Sequence, residues 1–171
     1  MPRVHVAIGG NIEPERAFPL AARELRRRFP GARFSSVYRN PAFGFAGADF
    51  FNAVAGFDTD TAVAAVLAQC HEIEALCGRQ RDAARWAPRV MDIDLLLYGE
   101  LIAETAAYRL PRPDLLRRSY MLGPLAEIAP DLRHPLTGRR LGDHWQELAA
   151  APHRMEKVAL DLRDPMSVDR P

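Results

Sequence analysis

Apolar residues recur along the chain at two different spacings, which predict strands and helices in alternation. Residues 4–8 alternate from one side to the other, as in a strand that leads into a turn at Gly9-Gly10-Asn11. From about Pro14 the spacing becomes that of an amphipathic helix. Pro19 lies inside this helix and is expected to shift its start or to bend its first turn.

Two further strands and a second helix are predicted next. Residues 34–38 and 50–57 are rich in apolar, β-branched and aromatic residues, which is typical of strands. A helix should follow, capped by Asp60 or Thr61 and ended by Gly78, because glycine is common just after the last helical residue. The next apolar run contains Asp92 and Asp94 and predicts a fourth strand.

This order of elements predicts an α+β fold with a ferredoxin-like β-α-β-β-α-β core and additional C-terminal helices. The additional helices are expected near residues 121–129 and 142–148. We expect a single domain over residues 1–155. Residues 156–171 are polar and contain proline, which predicts a poorly ordered tail with at most a stray strand at 158–160.

The fourth strand carries the first candidate chemistry. Alternation along a strand directs Asp92 and Asp94 to one face, and it directs Met91, Ile93, Leu95 and Leu97 to the other. Residues two apart on a strand are separated by about 6.5–7 Å, so the two carboxylates could share hard cations such as Mg²⁺. Alternatively, the aspartates lie at an exposed strand end and pair with arginines.

A basic segment precedes this strand. It carries Arg79, Arg81, Arg85 and Arg89 and also contains Trp86. Guanidinium groups match phosphate oxygens in shape and charge, so arginines beside two carboxylates predict a polyphosphate site. The sequence lacks both the P-loop motif and a strand-linked G-x-G-x-x-G, which argues against those two kinds of nucleotide site.

Composition restricts the class of partner. The chain has 171 residues, of which 48% are hydrophobic, and a formal net charge of +1, so nucleic acid or membrane partners are not expected. Cys70 and Cys77 match no metal-binding pattern and are expected to be reduced core thiols. No signal segment or long apolar span is evident, which favours the cytoplasm, and we expect a monomer.

The run Arg85-Trp86-Ala87-Pro88-Arg89-Val90-Met91-Asp92-Ile93-Asp94-Leu95-Leu96 resembles the signature of the 6-hydroxymethyl-7,8-dihydropterin pyrophosphokinase family of the folate pathway. The likeness extends over residues 4–148. Its further matches are Ile8-Gly9-Gly10-Asn11, Ser36-Val37-Tyr38-Arg39, Asp49-Phe50-Phe51-Asn52, Glu74 with Gly78-Arg79, Tyr120-Met121-Leu122 and the run from Pro124 to Pro130.

The resemblance implies Mg²⁺-dependent transfer of pyrophosphate from ATP to the hydroxymethyl group of the dihydropterin, giving the pterin diphosphate and AMP. Asp92 and Asp94 would hold two Mg²⁺ ions. Arg79 and Arg89 would neutralise charge that develops on the phosphate oxygens during transfer. The fold implied by the resemblance is the ferredoxin-like one that the order of elements also predicts.

The resemblance also implies contacts for both substrates. The residues expected to bind ATP are Glu74, Arg81, Arg85, Leu95 and Arg118. Those expected to bind the pterin are Asn52, Phe43, Phe50, Tyr120 and Trp86. The apolar loop at residues 40–47 would line the pterin pocket, although such a loop could also simply fold onto the core.

The sequence departs from the family pattern near the expected nucleotide site. Arg112 in Leu110-Pro111-Arg112 stands where the family usually has histidine, and Ala107 stands where it usually has arginine. Arg109 is close enough in sequence to replace the latter. These departures leave two alternatives to the enzyme, namely a paralogue with an altered pterin substrate and a non-catalytic pterin- or nucleotide-binding protein. A small regulatory ferredoxin-like module is a third.

Overall fold

The computed structural model describes residues 1–41, 47–79, 90–150 and 155–163. Within these ranges the elements are, in chain order, β1 (Arg3–Gly10), α1 (Pro14–Arg28), β2 (Arg33–Phe34), β3 (Tyr38–Asn40), β4 (Phe50–Asp58), α2 (Val63–Leu76), β5 (Asp92–Tyr98), β6 (Ala103–Glu104), β7 (Arg109–Leu110), α3 (Ser119–Ile128), α4 (Leu141–Ala149) and β8 (Glu156–Lys157).

The main sheet is antiparallel and has the order β5-β1-β4-β3-β8, with β2 also paired to β4. The fourth predicted strand therefore lies beside the first, and the third lies between the first and the second. With α1 and α2 as the two crossover helices, this is the expected ferredoxin-like core, and α3 and α4 are the expected additional helices. The predicted fold class is confirmed.

The two faces of the sheet are buried by different helices. Val4, Val6 and Ile8 of β1 belong to one apolar cluster together with the buried sides of α1 and α2. Ala7 of β1 and Val54 of β4 belong to a second cluster with α3 and α4. Because successive side chains of a strand point to opposite faces, odd-numbered residues of β1 face α3. We call this side of the sheet the α3 face.

An irregularity between β1 and β5 changes the face that Leu97 occupies. His5 pairs with Leu97 but Val6 pairs with Leu95, so one extra residue of β5 lies opposite β1. Leu95 packs in the first cluster, whereas Leu96 and Leu97 both pack in the second. The prediction that Leu97 faces the same way as Leu95 is therefore wrong, because the bulge reverses the alternation after Leu95.

Several predicted boundaries are also corrected. Strand β1 continues through Gly9 and Gly10, where a turn was expected, because both glycines pair with β4. The second predicted strand is divided into β2 and β3. Helix α1 begins at Pro14 and contains Pro19, so this proline does not shift its start. Helix α2 is preceded by Ala62 rather than by a side-chain cap from Asp60 or Thr61.

The segment after the last helix differs from the expectation of a poorly ordered tail. Strand β8 pairs with β3 and extends the main sheet. Leu162 is fully buried in the first cluster, and its carbonyl accepts a hydrogen bond from Arg26 of α1. Leu162 continues the two-residue spacing of Val158 and Leu160, but the segment is short and otherwise polar, so this spacing alone did not predict its burial. Part of the predicted tail, within residues 156–163, therefore packs against the main sheet and α1.

Cys70 and Cys77 are free thiols buried beneath α2, as expected, and burial raises the pKa of each, to about 12 for Cys70 and about 11 for Cys77. In the described ranges, none of the helices has the length and apolar character needed to cross a membrane.

Candidate functional site

Three residues on adjacent strands form a row across the α3 face. Asn52 of β4 pairs with Gly9 of β1, and Gly9 in turn pairs with Asp92 of β5. Neighbouring strands lie about 4.8 Å apart, so the Asn52 and Asp92 backbones are separated by about 10 Å. Gly9 has no side chain, and a Cβ added there would lie 3.1 Å from the Asn52 Oδ1 atom. The row therefore leaves a gap between an amide and a carboxylate.

The second carboxylate lies two residues further along β5. Asp94 pairs with Ala7, so it shares the α3 face with Asp92, as the sequence predicted. The side chains of Asp92 and Asp94 are 28% and 38% exposed, which leaves both carboxylates accessible from solvent. The intervening Ile93 is buried in the first cluster. Two accessible carboxylates on one face fit the oxygen donors that Mg²⁺ prefers.

Each aspartate has an arginine beside it. The Arg79 Nη1 atom is 2.9 Å from Asp92 Oδ1, and the Arg112 Nη1 atom is 3.4 Å from Asp94 Oδ1. The arginine pairing that the sequence left open as an alternative is therefore present at both aspartates. Such half-exposed ion pairs are each worth only about 0–1 kcal/mol, so they do not prevent the carboxylates from binding a cation.

Arg79 is positioned by the end of α2. The backbone N–H of Gly78 donates to the Ala75 carbonyl and that of Arg79 donates to the Glu74 carbonyl, both at 3.0 Å. This is the Schellman arrangement, and Gly78 has the left-handed φ of +100° that it requires. The predicted helix end at Gly78 is confirmed. Its geometry brings Arg79 back alongside the last turn of the helix.

Glu74 connects this helix end to the aspartate strand. Its side chain is 6% exposed, and its Oε1 accepts a hydrogen bond from the Ile93 N–H at 2.7 Å and lies 2.7 Å from Arg79 Nη1. Burial raises the pKa of Glu74, while the Ile93 hydrogen bond and the Arg79 charge oppose that rise. Glu74 therefore holds the start of β5 and Arg79 in a fixed relation, in addition to its predicted role with ATP.

Arg112 reaches Asp94 from the turn after β7. Its backbone N–H donates to the Leu96 carbonyl at 2.9 Å, which fixes the turn against β5. The sequence identified Arg112 only as a departure from the family pattern. Arg109, by contrast, forms an ion pair at 3.5 Å with the exposed Glu104. Both residues belong to the two-stranded β6-β7 sheet, so the guanidinium of Arg109 is engaged there.

Tyr120 lies in the first turn of α3, and Arg118 immediately precedes this helix. Burial raises the pKa of Tyr120, and the charges of Arg118, Asp114, Arg112 and Asp94 also act on the phenol. The Tyr120 phenol therefore lies within electrostatic range of Arg118 and of the Arg112–Asp94 pair. Tyr120 also packs against the second apolar cluster, which combines the predicted ligand contact with its more common role as a core residue.

The amide of Asn52 is fixed by its neighbours. Asn52 is 7% exposed, and its Nδ2 donates to Asn40 Oδ1. Asn40 belongs to β3, and Tyr38, two residues earlier on that strand, donates its hydroxyl to Glu127 of α3 at 2.5 Å. Sequence analysis missed Glu127, because its sequence separation from Tyr38 gives no periodic signal. It also missed the role of Gly9, which only the pairing of the strands reveals.

Of the remaining predicted residues, Phe50 and Leu95 lie in the described ranges. Phe50 is half-buried on the α3 side of β4, two residues before Asn52. Leu95 is 6% exposed in the first cluster, so any contact of Leu95 with ATP would involve its backbone. The other predictions lie outside the described residues, namely Phe43, Arg81, Arg85, Trp86 and Arg89.

A metal at this site would depend on few protein ligands. In the described part of the chain, no three or more histidine, cysteine, aspartate or glutamate side chains are grouped so that they could hold a metal ion. The Asp92 and Asp94 pair is instead the kind of donor set that Mg²⁺ uses together with water and substrate phosphates.

Comparisons with known proteins place this fold and sequence among related chains. Residues 5–130 match the family described as 7,8-dihydro-6-hydroxymethylpterin-pyrophosphokinase (HPPK). The chain is similar to the 2-amino-4-hydroxy-6-hydroxymethyldihydropteridine pyrophosphokinase of Pseudomonas aeruginosa, with 38% identity over 153 residues that cover 87% of this chain and 91% of the relative. The protein of the same name from Methylorubrum extorquens is 39% identical over 136 residues, covering 77% of this chain and 85% of the relative.

A solved structure shares the fold. A Plasmodium falciparum HPPK-DHPS chain superposes with a TM-score of 0.72 at 10% sequence identity, and the match covers 87% of this chain. The chain spans only 42% of that protein, so the similarity concerns one part of it.

The helix end at Gly78 gives a first prediction. Gly78→Ala should lower the free energy of unfolding by roughly 1–2 kcal/mol, the penalty for a Cβ in left-handed conformation. Among the described residues the added Cβ would meet only Arg16, at 3.9 Å, so the expected cost is conformational rather than steric. Gly78→Asn should cost less, because asparagine tolerates this conformation. Urea unfolding of the two variants measures the difference, and equal stability of Gly78→Ala and wild type would contradict the assignment.

Proposed function

Because the chain belongs to the 7,8-dihydro-6-hydroxymethylpterin-pyrophosphokinase family, we propose that it transfers pyrophosphate from ATP to the hydroxymethyl group of 6-hydroxymethyl-7,8-dihydropterin. The products are the pterin diphosphate and AMP, and the pathway is folate biosynthesis. The observation that carries the proposal is the row of Asn52, Gly9 and Asp92, because it sets an amide suited to a pterin beside a carboxylate suited to metal-bound phosphates.

The pterin is proposed to bind at the gap over Gly9. The Asn52 amide offers a donor and an acceptor side by side, which matches the edge of a pterin ring. Tyr120 would stack on the ring, and Phe50 would contact it from β4. The fixed orientation of Asn52, through Asn40, supports this role because a held amide distinguishes one ring edge from another.

ATP is proposed to bind along the Asp92 and Asp94 side of the site. Asp92 and Asp94 would hold two Mg²⁺ ions, which supply charge neutralisation and alignment of the reacting groups when bound. Arg79, Arg112 and Arg118 would contact phosphate oxygens, since their guanidinium groups already lie near the two carboxylates or near Tyr120. Arg81, Arg85, Arg89 and Trp86 keep the roles predicted for them from the resemblance.

The transfer itself is a single displacement. The substrate hydroxyl oxygen forms a bond to the β-phosphorus, the bond from that phosphorus to the α,β-bridging oxygen breaks, and AMP leaves with the electron pair. The hydroxyl proton is released. Arg79 and Arg89 would stabilise charge on the leaving oxygens. A cytoplasmic location and a monomeric state remain predictions from the sequence.

The first test measures AMP released from ATP by the purified protein with Mg²⁺, with and without 6-hydroxymethyl-7,8-dihydropterin. AMP should form only with the pterin. Asp94→Asn should lower the rate by on the order of 100-fold or more, because it removes a carboxylate that stabilises the transition state through bound metal. Asp143→Asn, at an exposed aspartate that pairs with Arg140 on α4, should leave the rate unchanged.

Two results would contradict this proposal. Pterin binding without any AMP would indicate the non-catalytic binding protein, and a wild-type rate for Asp94→Asn would remove the aspartate pair from the mechanism.

The gap at Gly9 gives a separate prediction. Gly9→Ala should raise the KM for the pterin about 10-fold or more, because the new Cβ forces the Asn52 amide out of position. The KM for ATP should change little. In an Asn52→Ala background the same Gly9→Ala change should add little further loss, since the group it displaces is already absent. An equal loss in both backgrounds would show that Gly9 acts independently of Asn52.

A further inference from the structure

A cavity lies on the α3 face at the opposite end of β1 from Gly9. It has a volume of about 460 Å³, and His5 of β1 and Gly56 of β4 form part of its wall. His5 and Gly9 are four residues apart on one strand, which separates their backbones by about 13 Å. The cavity is therefore distinct from the site described above.

His5 is the polar group in the interior of this wall. It is 2% exposed, and its Nδ1 atom has no hydrogen-bond partner among the described residues. Burial, with the nearby Arg3 charge, lowers the pKa of His5 to about 4, against an opposing effect of Asp58, so the imidazole is neutral near pH 7. A buried polar atom without a partner is uncommon in folded proteins and is usually satisfied by water or a ligand.

The cavity also depends on Gly56, which pairs with His5 and has no side chain. A Cβ at Gly56 would lie 3.0 Å from His5 Cδ2 and 3.5 Å from Ile128 Cδ1. A side chain at this position would therefore occupy the space between the imidazole and the end of α3. The absence of that side chain keeps the interior of the cavity open.

The rest of the wall is apolar inside and cationic at the edge. Ile128 and Leu132 form its apolar side, whereas Phe34 borders the cavity but packs its ring in the first cluster on the other face of the sheet. Arg3 and Arg33 are the exposed charged residues of the lining. Arg3 is neutralised by Asp58, with hydrogen bonds of 2.6 and 2.7 Å. Within the described ranges, Arg33 has no ion-pair partner, so its guanidinium can accept a carboxylate.

We propose that this cavity binds a small aromatic carboxylate. The apolar wall of Ile128 and Leu132 contacts the ring, and the Arg33 guanidinium pairs with the carboxylate. The volume is within the range of small-molecule sites, about 300–1,000 Å³. The proposal does not depend on the transferase activity, because the cavity shares no lining residue with the aspartate pair or with Asn52.

The test uses benzoate as the probe and ¹⁵N-labelled full-length protein without ATP or pterin. Amide shifts should concentrate at Arg33, Gly56 and Ile128 and should saturate with benzoate concentration. Arg33→Gln should weaken benzoate binding about 5-fold or more, through loss of a charge-assisted hydrogen bond. Arg23→Gln, which removes an exposed arginine from α1, should leave the affinity unchanged.

Two further measurements make the result decisive. Benzyl alcohol has the same ring without the charge, so it should bind more weakly than benzoate and be insensitive to Arg33→Gln. Leu132→Phe should reduce benzoate binding by filling the cavity while Arg33 stays in place. The proposal is overturned if no saturable shifts occur up to the solubility limit, which would mean that the cavity holds water only. Equal affinity for the two probes, or shifts spread over the surface, would also overturn it.

Discussion

The candidate site depends on the ion pairs that Arg79 forms with Glu74 and with Asp92. Arg79 lies between a buried carboxylate and a half-exposed one, at 2.7 and 2.9 Å. Glu74 also accepts the Ile93 N–H, so it fixes the first residues of the aspartate strand. Because Glu74 is buried and Asp92 is not, Arg79 remains anchored by Glu74 if Asp92 takes another partner. This arrangement allows Asp92 to bind a cation without loss of the arginine from the site.

The Arg79–Asp92 and Arg112–Asp94 ion pairs also affect the repulsion between the two carboxylates. Two neighbouring carboxylates on one strand face repel each other, and the guanidinium groups of Arg79 and Arg112 reduce that repulsion. The pairs are weak because they are half exposed, so phosphate and metal can replace them at small cost. The arginines would then be available to the phosphates. In this account Arg112 is a functional part of the site rather than a loss of the usual histidine.

The sequence predicted the features that depend on local pattern. The order of elements, the helix end at Gly78 and the common face of Asp92 and Asp94 follow from periodicity and residue preference. Features that depend on long-range pairing were not predictable. The gap at Gly9 requires the registers of three strands, and the reversal at Leu97 requires the bulge opposite β1. The burial of Leu162 depends on packing against α1, which a short polar segment does not indicate.

The most direct test of this account is a crystal structure of the protein with Mg²⁺, α,β-methylene-ATP and 6-hydroxymethyl-7,8-dihydropterin. The methylene group prevents transfer, so the reacting complex is retained. We expect Asp92 and Asp94 to ligate Mg²⁺, Arg112 to have left Asp94 for a phosphate, and Arg79 still to contact Glu74. If both aspartates remain paired with their arginines while the nucleotide binds elsewhere, the proposed site is contradicted.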